Sequence, residues 1–215
     1  MGITGFNGQL PNPNLKPESG IGLDAGMDFK LPVHFKVGVR IFYITLQDAI
    51  VDNIVSYNPS QTQSINAGSS LSKGGEIEIS QRINTKLFWF ANCTYIITNI
   101  KNKLDSNQNN VAIPFSPNEL VNIGINYIAP FGLTFAPSLN YNGGFYDGTS
   151  KNDRKWFTPG IILNVYIAQR IIKGDSYLIE CFANLYNTTN NNYELPWQFK
   201  NPGFSGMYGI KVTFK

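Results

Sequence analysis

The clearest pattern in the sequence is the segment Leu133-Thr134-Phe135-Ala136-Pro137-Ser138-Leu139-Asn140-Tyr141-Asn142. Apolar residues occupy every second position, and small or polar residues occupy most positions between them. This period of two is typical of a β-strand with one apolar and one polar face. Pro137 and the later Pro159 lie on apolar faces. Because proline cannot donate to a strand pairing, we expect both near the rim of the sheet on its long-loop side.

Eight further segments alternate in the same way and are separated by turn residues. They cover residues 21–30, 35–43, 76–82, 87–98, 121–127, 157–167, 177–185 and 204–214. No segment of helical length shows a period of 3.6 residues. The sequence therefore predicts an all-β chain of about nine strands, arranged as an antiparallel meander.

The connections between these segments alternate in length. Short ones fall at 31–34, 84–86, 130–132 and 173–176, and long ones at roughly 49–73, 100–117, 143–155 and 187–203. This asymmetry is typical of a transmembrane β-barrel, which has short periplasmic turns and long extracellular loops. Aromatic residues near the segment ends, including Trp89, Tyr127 and Tyr177, match the aromatic belts at the two membrane surfaces.

The composition argues against several other classes of protein. Only 14% of the 215 residues are charged and the net charge of +3 is scattered, so nucleic-acid binding has no electrostatic support. His34 is the only histidine and lies in a short turn, which disfavours His-based catalysis. Cys93 and Cys181 lie in separate apolar segments and predict no disulfide. We expect no cofactor, no metal site and no enzymatic activity.

Seven short motifs follow one another along the chain. They are Asn12-Pro13-Asn14-Leu15-Lys16-Pro17-Glu18, Ile65-Asn66-Ala67-Gly68, Lys73-Gly74-Gly75-Glu76-Ile77-Glu78-Ile79, Ile113-Pro114-Phe115-Ser116-Pro117, Tyr141-Asn142-Gly143-Gly144-Phe145-Tyr146-Asp147, Asn184-Leu185-Tyr186-Asn187 and Asn201-Pro202-Gly203. In this order the set resembles the C-terminal barrel half of TonB-dependent outer-membrane receptors, over about residues 12–214. The chain departs from the family pattern at Phe204, where an arginine is usual, and at Lys215, which follows the final aromatic Phe214.

The resemblance implies a domain organisation. Residues 1–18 would be an extracellular loop segment that carries the Asn12–Glu18 motif, and residues 19–215 would be the C-terminal part of a β-barrel. We expect the plug domain of such receptors to be absent from this chain. The chain would then supply about two-fifths of a barrel of about 22 strands.

The resemblance also implies a function. The chain would form part of the barrel wall of a receptor for energised uptake of a scarce nutrient, such as a ferric siderophore or cobalamin. Its location would be the bacterial outer membrane. Its partners would be membrane lipid, the remaining barrel with its plug and, indirectly, the TonB complex.

Two groups of residues are candidates for ligand contact. The first comprises charged residues on polar faces, which would line the barrel lumen: Asp24, Asp28, Arg40, Glu76, Glu78, Arg82 and Glu180. The second comprises aromatic residues of the long loops, which would stack on a ligand: Tyr57, Tyr146, Trp156, Tyr193 and Trp197. Each group also has a structural interpretation, because opposite charges on one face pair across strands or contact a plug and loop aromatics pack loops together.

Two other interpretations stay open at this point. A small self-standing barrel, acting as a passive pore or a structural protein, needs an even number of strands. The best segment for a further strand is Ile50–Val55. A soluble lipocalin-like module would instead bury its apolar faces inside. An open sheet with two unpaired edges favours the receptor segment, and a closed, even-stranded barrel favours the pore.

Overall fold

The computed structural model describes residues 7–194, 199 and 201–214. The strands in these residues are β1 (Gly8–Leu10), β2 (Ser19–Leu31), β3 (Phe35–Tyr57), β4 (Ser60–Arg82), β5 (Leu87–Asn102), β6 (Glu119–Ile128), β7 (Leu133–Asn142), β8 (Phe145–Tyr146), β9 (Trp156–Phe157), β10 (Gly160–Lys173), β11 (Tyr177–Tyr186) and β12 (Ser205–Phe214). One short 3-10 helix spans Ser106–Gln108. In the part of the chain that the structure describes, no helix is long and apolar enough to cross a membrane.

Nine long strands form one antiparallel sheet in the order β12-β11-β10-β7-β6-β5-β4-β3-β2. Each long strand between β2 and β12 pairs with the long strand before it and the one after it, so the sheet is a meander. The predicted all-β architecture of nine strands is confirmed. Within the described residues β2 and β12 pair on one side only, so the sheet is open.

In the central rows of the sheet the register places aliphatic residues on one face and most charged and amide residues on the other. One row of directly paired residues is Phe29, Val37, Ile79, Ala91, Ile123, Leu139 and Leu163. The adjoining row begins with Asp28, Gly38, Glu78, Asn92, Asn122 and Asn140. We call these sides the apolar face and the polar face. Residues of the apolar face such as Leu23 and Met27 are about two-thirds exposed, so no second layer covers them.

Aromatic residues border the apolar face near the short turns. Trp89 lies 6.2 Å from Phe35, measured between ring centres, and its indole Nε1 donates a 3.1 Å hydrogen bond to Gln81 Oε1. Tyr127 is paired with Phe135 in the same border. An aromatic ring with a satisfied polar group suits the boundary between an apolar and an aqueous phase.

The predicted long loop at 49–73 is wrong. β3 and β4 continue to Tyr57 and from Ser60, so this region is a hairpin that extends both strands. Its pairing is interrupted by bulges near Asp48, whose φ is +54°, and near Ile54. Ser, Thr, Gln and Asn are frequent in this hairpin, which made it resemble a loop. It pairs because both strands continue from the sheet below.

The structure adds a short strand before β2 and corrects one smaller expectation. Gly8–Leu10 forms β1 and pairs in parallel with Gln61–Gln63 of β4. Pro137 lies in the middle of β7 rather than near its rim. Its effect is local, since the β6–β7 register omits the pairs between Gly124↔Ser138 and Tyr127↔Phe135. Pro159 directly precedes β10, at the long-loop end as expected.

Candidate functional site on the polar face and in the loops

Arg40 connects two carboxylates on the polar face. Its Nη2 lies 3.5 Å from Asp28 Oδ1 and its Nη1 lies 3.4 Å from Glu78 Oε2. In the register Gly38 lies between Asp28 and Glu78, so no side chain separates the guanidinium from either of them. All three side chains are 44–72% exposed, so the ion pairs add little stability. Their effect is to hold Arg40 in one orientation.

Two more of the predicted charges lie close to Arg40. Glu76 is its direct partner in the β3–β4 register, and Asp24 lies opposite Phe42 on β2. Neither carboxylate is within ion-pair distance of a basic group in the described residues. The structure therefore gathers five predicted charges on β2–β4, four of them acidic, and two of the carboxylates have no basic partner.

The other two predicted charges lie elsewhere. Arg82 is at the short-turn end of β4, with its guanidinium 5.5 Å from the centre of the Phe88 ring. Glu180 lies on β11, between Arg170 of β10 and Lys211 of β12 in the register. The seven predicted residues therefore do not form one site.

A ladder of asparagine side chains runs across the polar face and was not predicted as a unit. Asn122 Nδ2 donates to Asn92 Oδ1 at 2.8 Å, Asn140 Nδ2 donates to Asn122 Oδ1, and Asn164 Nδ2 donates to Asn140 Oδ1 at 3.0 Å. The ladder ends at the loop after β11, where the backbone N–H of Asn187 donates to Asn164 Oδ1. These bonds connect β5, β6, β7 and β10 in one direction of donation. The alternation in the sequence predicts that these asparagines lie on the polar face. Only the register of the strands determines which of them are neighbours.

Phenylalanine side chains lie directly over cross-strand glycines on the same face. The pairs are Phe42 with Gly74, Phe90 with Gly124 and Phe182 with Gly209. A methyl group added at Gly124 would lie 2.4 Å from Phe90 Cε1. Because glycine has no side chain, each phenylalanine ring can lie flat against the sheet. The rings therefore project little from the polar face.

Two of the predicted loop aromatics form a small cluster. Tyr146 of β8 and Trp156 of β9 are in edge-to-face contact, with ring centres 4.8 Å apart, and the Arg154 guanidinium lies 3.8 Å from the Tyr146 ring centre. Trp156 also lies against Gly144 and remains 46% exposed. The cluster presents an aromatic surface next to a fixed positive charge.

Contacts between loops support this cluster. Phe145 stacks on the buried Phe157 with ring centres 5.4 Å apart, and Phe115 of the preceding loop lies 6.2 Å from Phe145. Lys155 Nζ binds Glu194 Oε1 at 2.6 Å, which links the β8–β9 hairpin to the loop after β11. The three loops therefore form one packed layer above the sheet.

The remaining predicted loop residues are separate from it. Tyr57 is at the tip of the β3–β4 hairpin, is 84% exposed and makes no ring contact with another described residue. Tyr193 lies against Gly160, where an added methyl group would lie 2.8 Å from its ring. Trp197 is outside the described residues.

Two of the sequence motifs bind each other at the base of the long hairpin. Asn66 Oδ1 accepts from the Lys16 backbone N–H at 2.8 Å, while its Nδ2 donates to the carbonyls of Lys16 and Asp48. Glu18 Oε1 accepts from the Ile50 N–H at 2.7 Å, at the bulge. We call this arrangement the motif clasp. It fastens the segment before β2 across both strands of the hairpin.

The chemistry of the described residues is that of binding surfaces. No three His, Cys, Asp or Glu side chains in this part of the chain group to hold a metal ion. Cys93 and Cys181 are free thiols on the apolar face. The described part of the chain has three surfaces: the polar face with its charges and amides, the apolar face, and a layer of loops with aromatic and basic residues at one end.

The family model described as TonB dependent receptor-like, beta-barrel matches residues 2–187. The chain has no match among curated protein sequences.

Solved structures with the same fold extend this result. The FrpB iron transporter from Neisseria meningitidis has a TM-score of 0.71 at 14% identity, covering 95% of this chain and 33% of its own. The ferric-catecholate import receptor Fiu from E. coli has a TM-score of 0.74 at 13% identity, covering 95% and 29%. The copper transporter OprC has a TM-score of 0.68 at 17% identity, covering 97% and 33%. The chain thus spans about a third of the length of these structures.

Proposed function

Since the chain belongs to the TonB-dependent receptor β-barrel family, we propose that it forms part of the wall of an outer-membrane receptor for energised uptake of a scarce nutrient. Barrels of this family are transport proteins rather than enzymes. In this proposal the apolar face contacts membrane lipid and the polar face lines the lumen. The remaining barrel and its plug are partners, and the TonB complex acts through them.

The observation that carries the proposal is that aliphatic residues predominate on one face, whereas most charged and amide residues of the central strands lie on the other. The apolar stretch of β3, Phe35–Tyr43, has about the length of the 9–11 residues that a tilted strand needs to cross a bilayer. An open sheet edge cannot persist in lipid because its backbone groups would lack hydrogen bonds. The single-sided pairing of β2 and β12 therefore supports further strands that complete the barrel.

The loop layer and the polar face are the proposed ligand-contacting surfaces. Tyr146, Trp156 and Arg154 would capture an aromatic, anionic ligand such as a ferric siderophore by stacking and by charge. The charged residues of β2–β4 would contact either the plug or a ligand that passes through the barrel. They are Asp24, Asp28, Arg40, Glu76 and Glu78. FrpB is an iron transporter, Fiu is a ferric-catecholate import receptor and OprC is a copper transporter. An iron chelate is the substrate class that we favour over cobalamin.

Uptake measurements in cells test the proposal. The gene that contains this chain is expressed in an outer-membrane receptor-deficient strain, and accumulation of radiolabelled ferric catecholate is followed with and without TonB. We expect accumulation only when both are present. Tyr57→Ala is an informative variant, because this exposed residue supports no packing in the described structure. A ligand contact there predicts weaker capture with unchanged protein levels.

The same measurements distinguish the alternatives. Accumulation that does not depend on TonB would favour the passive pore over the receptor. Recovery of the gene product from the aqueous fraction without detergent would favour the soluble module. Neither result is compatible with an energised receptor.

A further inference from the structure

A polar hollow lies on the apolar side of the sheet, at the base of the long β3–β4 hairpin. Its volume is about 360 Å³ and its lining includes Thr45, Gln47, Ser69, Asn99, Lys101 and Lys103. This volume is in the range of small-molecule sites. Thr45, Gln47, Ser69, Asn99 and Lys101 have the same parity along β3–β5 as Ile41 and Ile77, and Lys103 directly follows β5. The hollow therefore opens toward the side that we propose faces lipid.

The register places this hollow at the upper border of the apolar face. The rows Val39–Ile77–Cys93 and Ile41–Gly75–Tyr95 are apolar or aromatic. Next comes the row Tyr43–Lys73–Ile97, and then Thr45–Leu71–Asn99 and Gln47–Ser69–Lys101. Polarity therefore changes within about two rows, as it does between the acyl chains and the headgroups of a bilayer.

The charges of the hollow favour an anion. Lys101 and Lys103 line it and Lys73 lies one row below, while Asp48 is its single acidic residue. None of the three lysines has a carboxylate within ion-pair distance in the described residues. Unpaired ammonium groups beside hydroxyl and amide groups match a phosphate on a sugar or glycerol headgroup.

We propose that this hollow binds the phosphorylated headgroup of a membrane lipid, whose acyl chains lie against the apolar rows below. The inference rests on the proposed function, because it needs the apolar face to contact lipid. The bulges near Asp48 interrupt the β3–β4 ladder at the level of the hollow. They give the lipid headgroup a recess in a sheet that would otherwise be smooth.

Binding of lipid A to the complete gene product in detergent micelles tests the proposal. The variant K73Q/K101Q/K103Q removes the three ammonium groups. Its matched control is K30Q/K36Q/K211Q, which makes the same change in net charge on the polar face. Each lysine near an anionic lipid contributes about 1 kcal/mol, which is about fivefold in affinity. We expect at least a tenfold loss in the first variant and less than a twofold loss in the control.

Three results would overturn the inference: equal losses in both variants, no loss in the first, or competition by millimolar inorganic phosphate as strong as by lipid A. The last would identify the free anion as the ligand. Failure of the proposed function is measured separately, by quenching of Trp89 fluorescence with brominated acyl chains in a variant of the complete gene product whose only tryptophan is Trp89. Quenching of Trp89 without an effect of the three lysines rejects only the headgroup site. Absence of quenching rejects the lipid-facing assignment itself.

Discussion

At the scale of single residues, the shape of the polar face depends on its glycines as much as on its larger side chains. Phe90 lies flat because its cross-strand partner is Gly124. The asparagine ladder beside it fixes side-chain amides that would otherwise rotate freely. These asparagines are half-buried, so removing one of them costs about as much stability as one ordinary hydrogen bond contributes.

Gly124→Ala should destabilise the protein by about 1–3 kcal/mol, because the new methyl group forces Phe90 out of its position. The measurement is the urea midpoint of the gene product folded in detergent micelles. Gly22→Ala is the matched control, since its methyl group would lie 3.9 Å from Ile44 Cγ1, an ordinary contact. We expect the double variant F90A/G124A to lose less than the sum of its single changes. Equal midpoints for Gly124→Ala and Gly22→Ala would refute this account of Phe90.

At the scale of elements, the motif clasp explains why two motifs about 50 residues apart occur together. Asn66 makes three hydrogen bonds that no shorter or acidic side chain could reproduce, since it both donates and accepts. It thereby fastens the segment before β2 to a hairpin that extends beyond the apolar rows. The clasp gives the Asn12–Glu18 motif a structural role in addition to its value for recognising the family.

Asn66→Ala should release the segment before β2 while leaving the sheet intact. A hydrogen bond of about 1 kcal/mol corresponds to about a fivefold faster amide exchange at Lys16. Hydrogen exchange of peptides covering residues 12–20 provides the measurement. Asn53→Ala is the control, since Asn53 lies in the same hairpin and its side chain makes no hydrogen bond in the described residues. Unchanged exchange at Lys16 in Asn66→Ala would show that the clasp does not hold the segment.

The strands could be predicted from the sequence more fully than the contacts between their side chains. Alternation in segments such as Leu133–Asn142 predicts the strands because burial on one face requires it. The sequence predicts a loop at 49–73 because residues 58–73 are mostly polar, although it also offers Ile50–Val55 as a strand candidate. Asn92 and Asn122 could not be paired in advance, since their alignment depends on the register and the lengths of turns. The loop cluster of Tyr146 and Trp156 depends on packing between loops that has no period in sequence.

At the scale of the whole molecule, a single physical arrangement accounts for the composition. The apolar face is about as long as a bilayer crossing, and the polar face carries charges and amides. Their contributions nearly cancel, so the mean hydropathy of the chain is close to zero. β2 and β12 each have one unpaired edge in the described residues, and in the proposed receptor these edges pair with further strands. The central claim is therefore that the odd-numbered residues of β5 contact lipid and the even-numbered residues face a lumen.

Spin labels placed one at a time at residues 89–95 of β5, in a background without the native thiols, test this claim in bilayer vesicles of the complete gene product. Collision with dissolved oxygen, which concentrates in acyl chains, should be high at 89, 91, 93 and 95 and low at 90, 92 and 94. A period of two with this phase is the predicted result. Equal oxygen collision at all seven positions, or the opposite phase, would contradict the account.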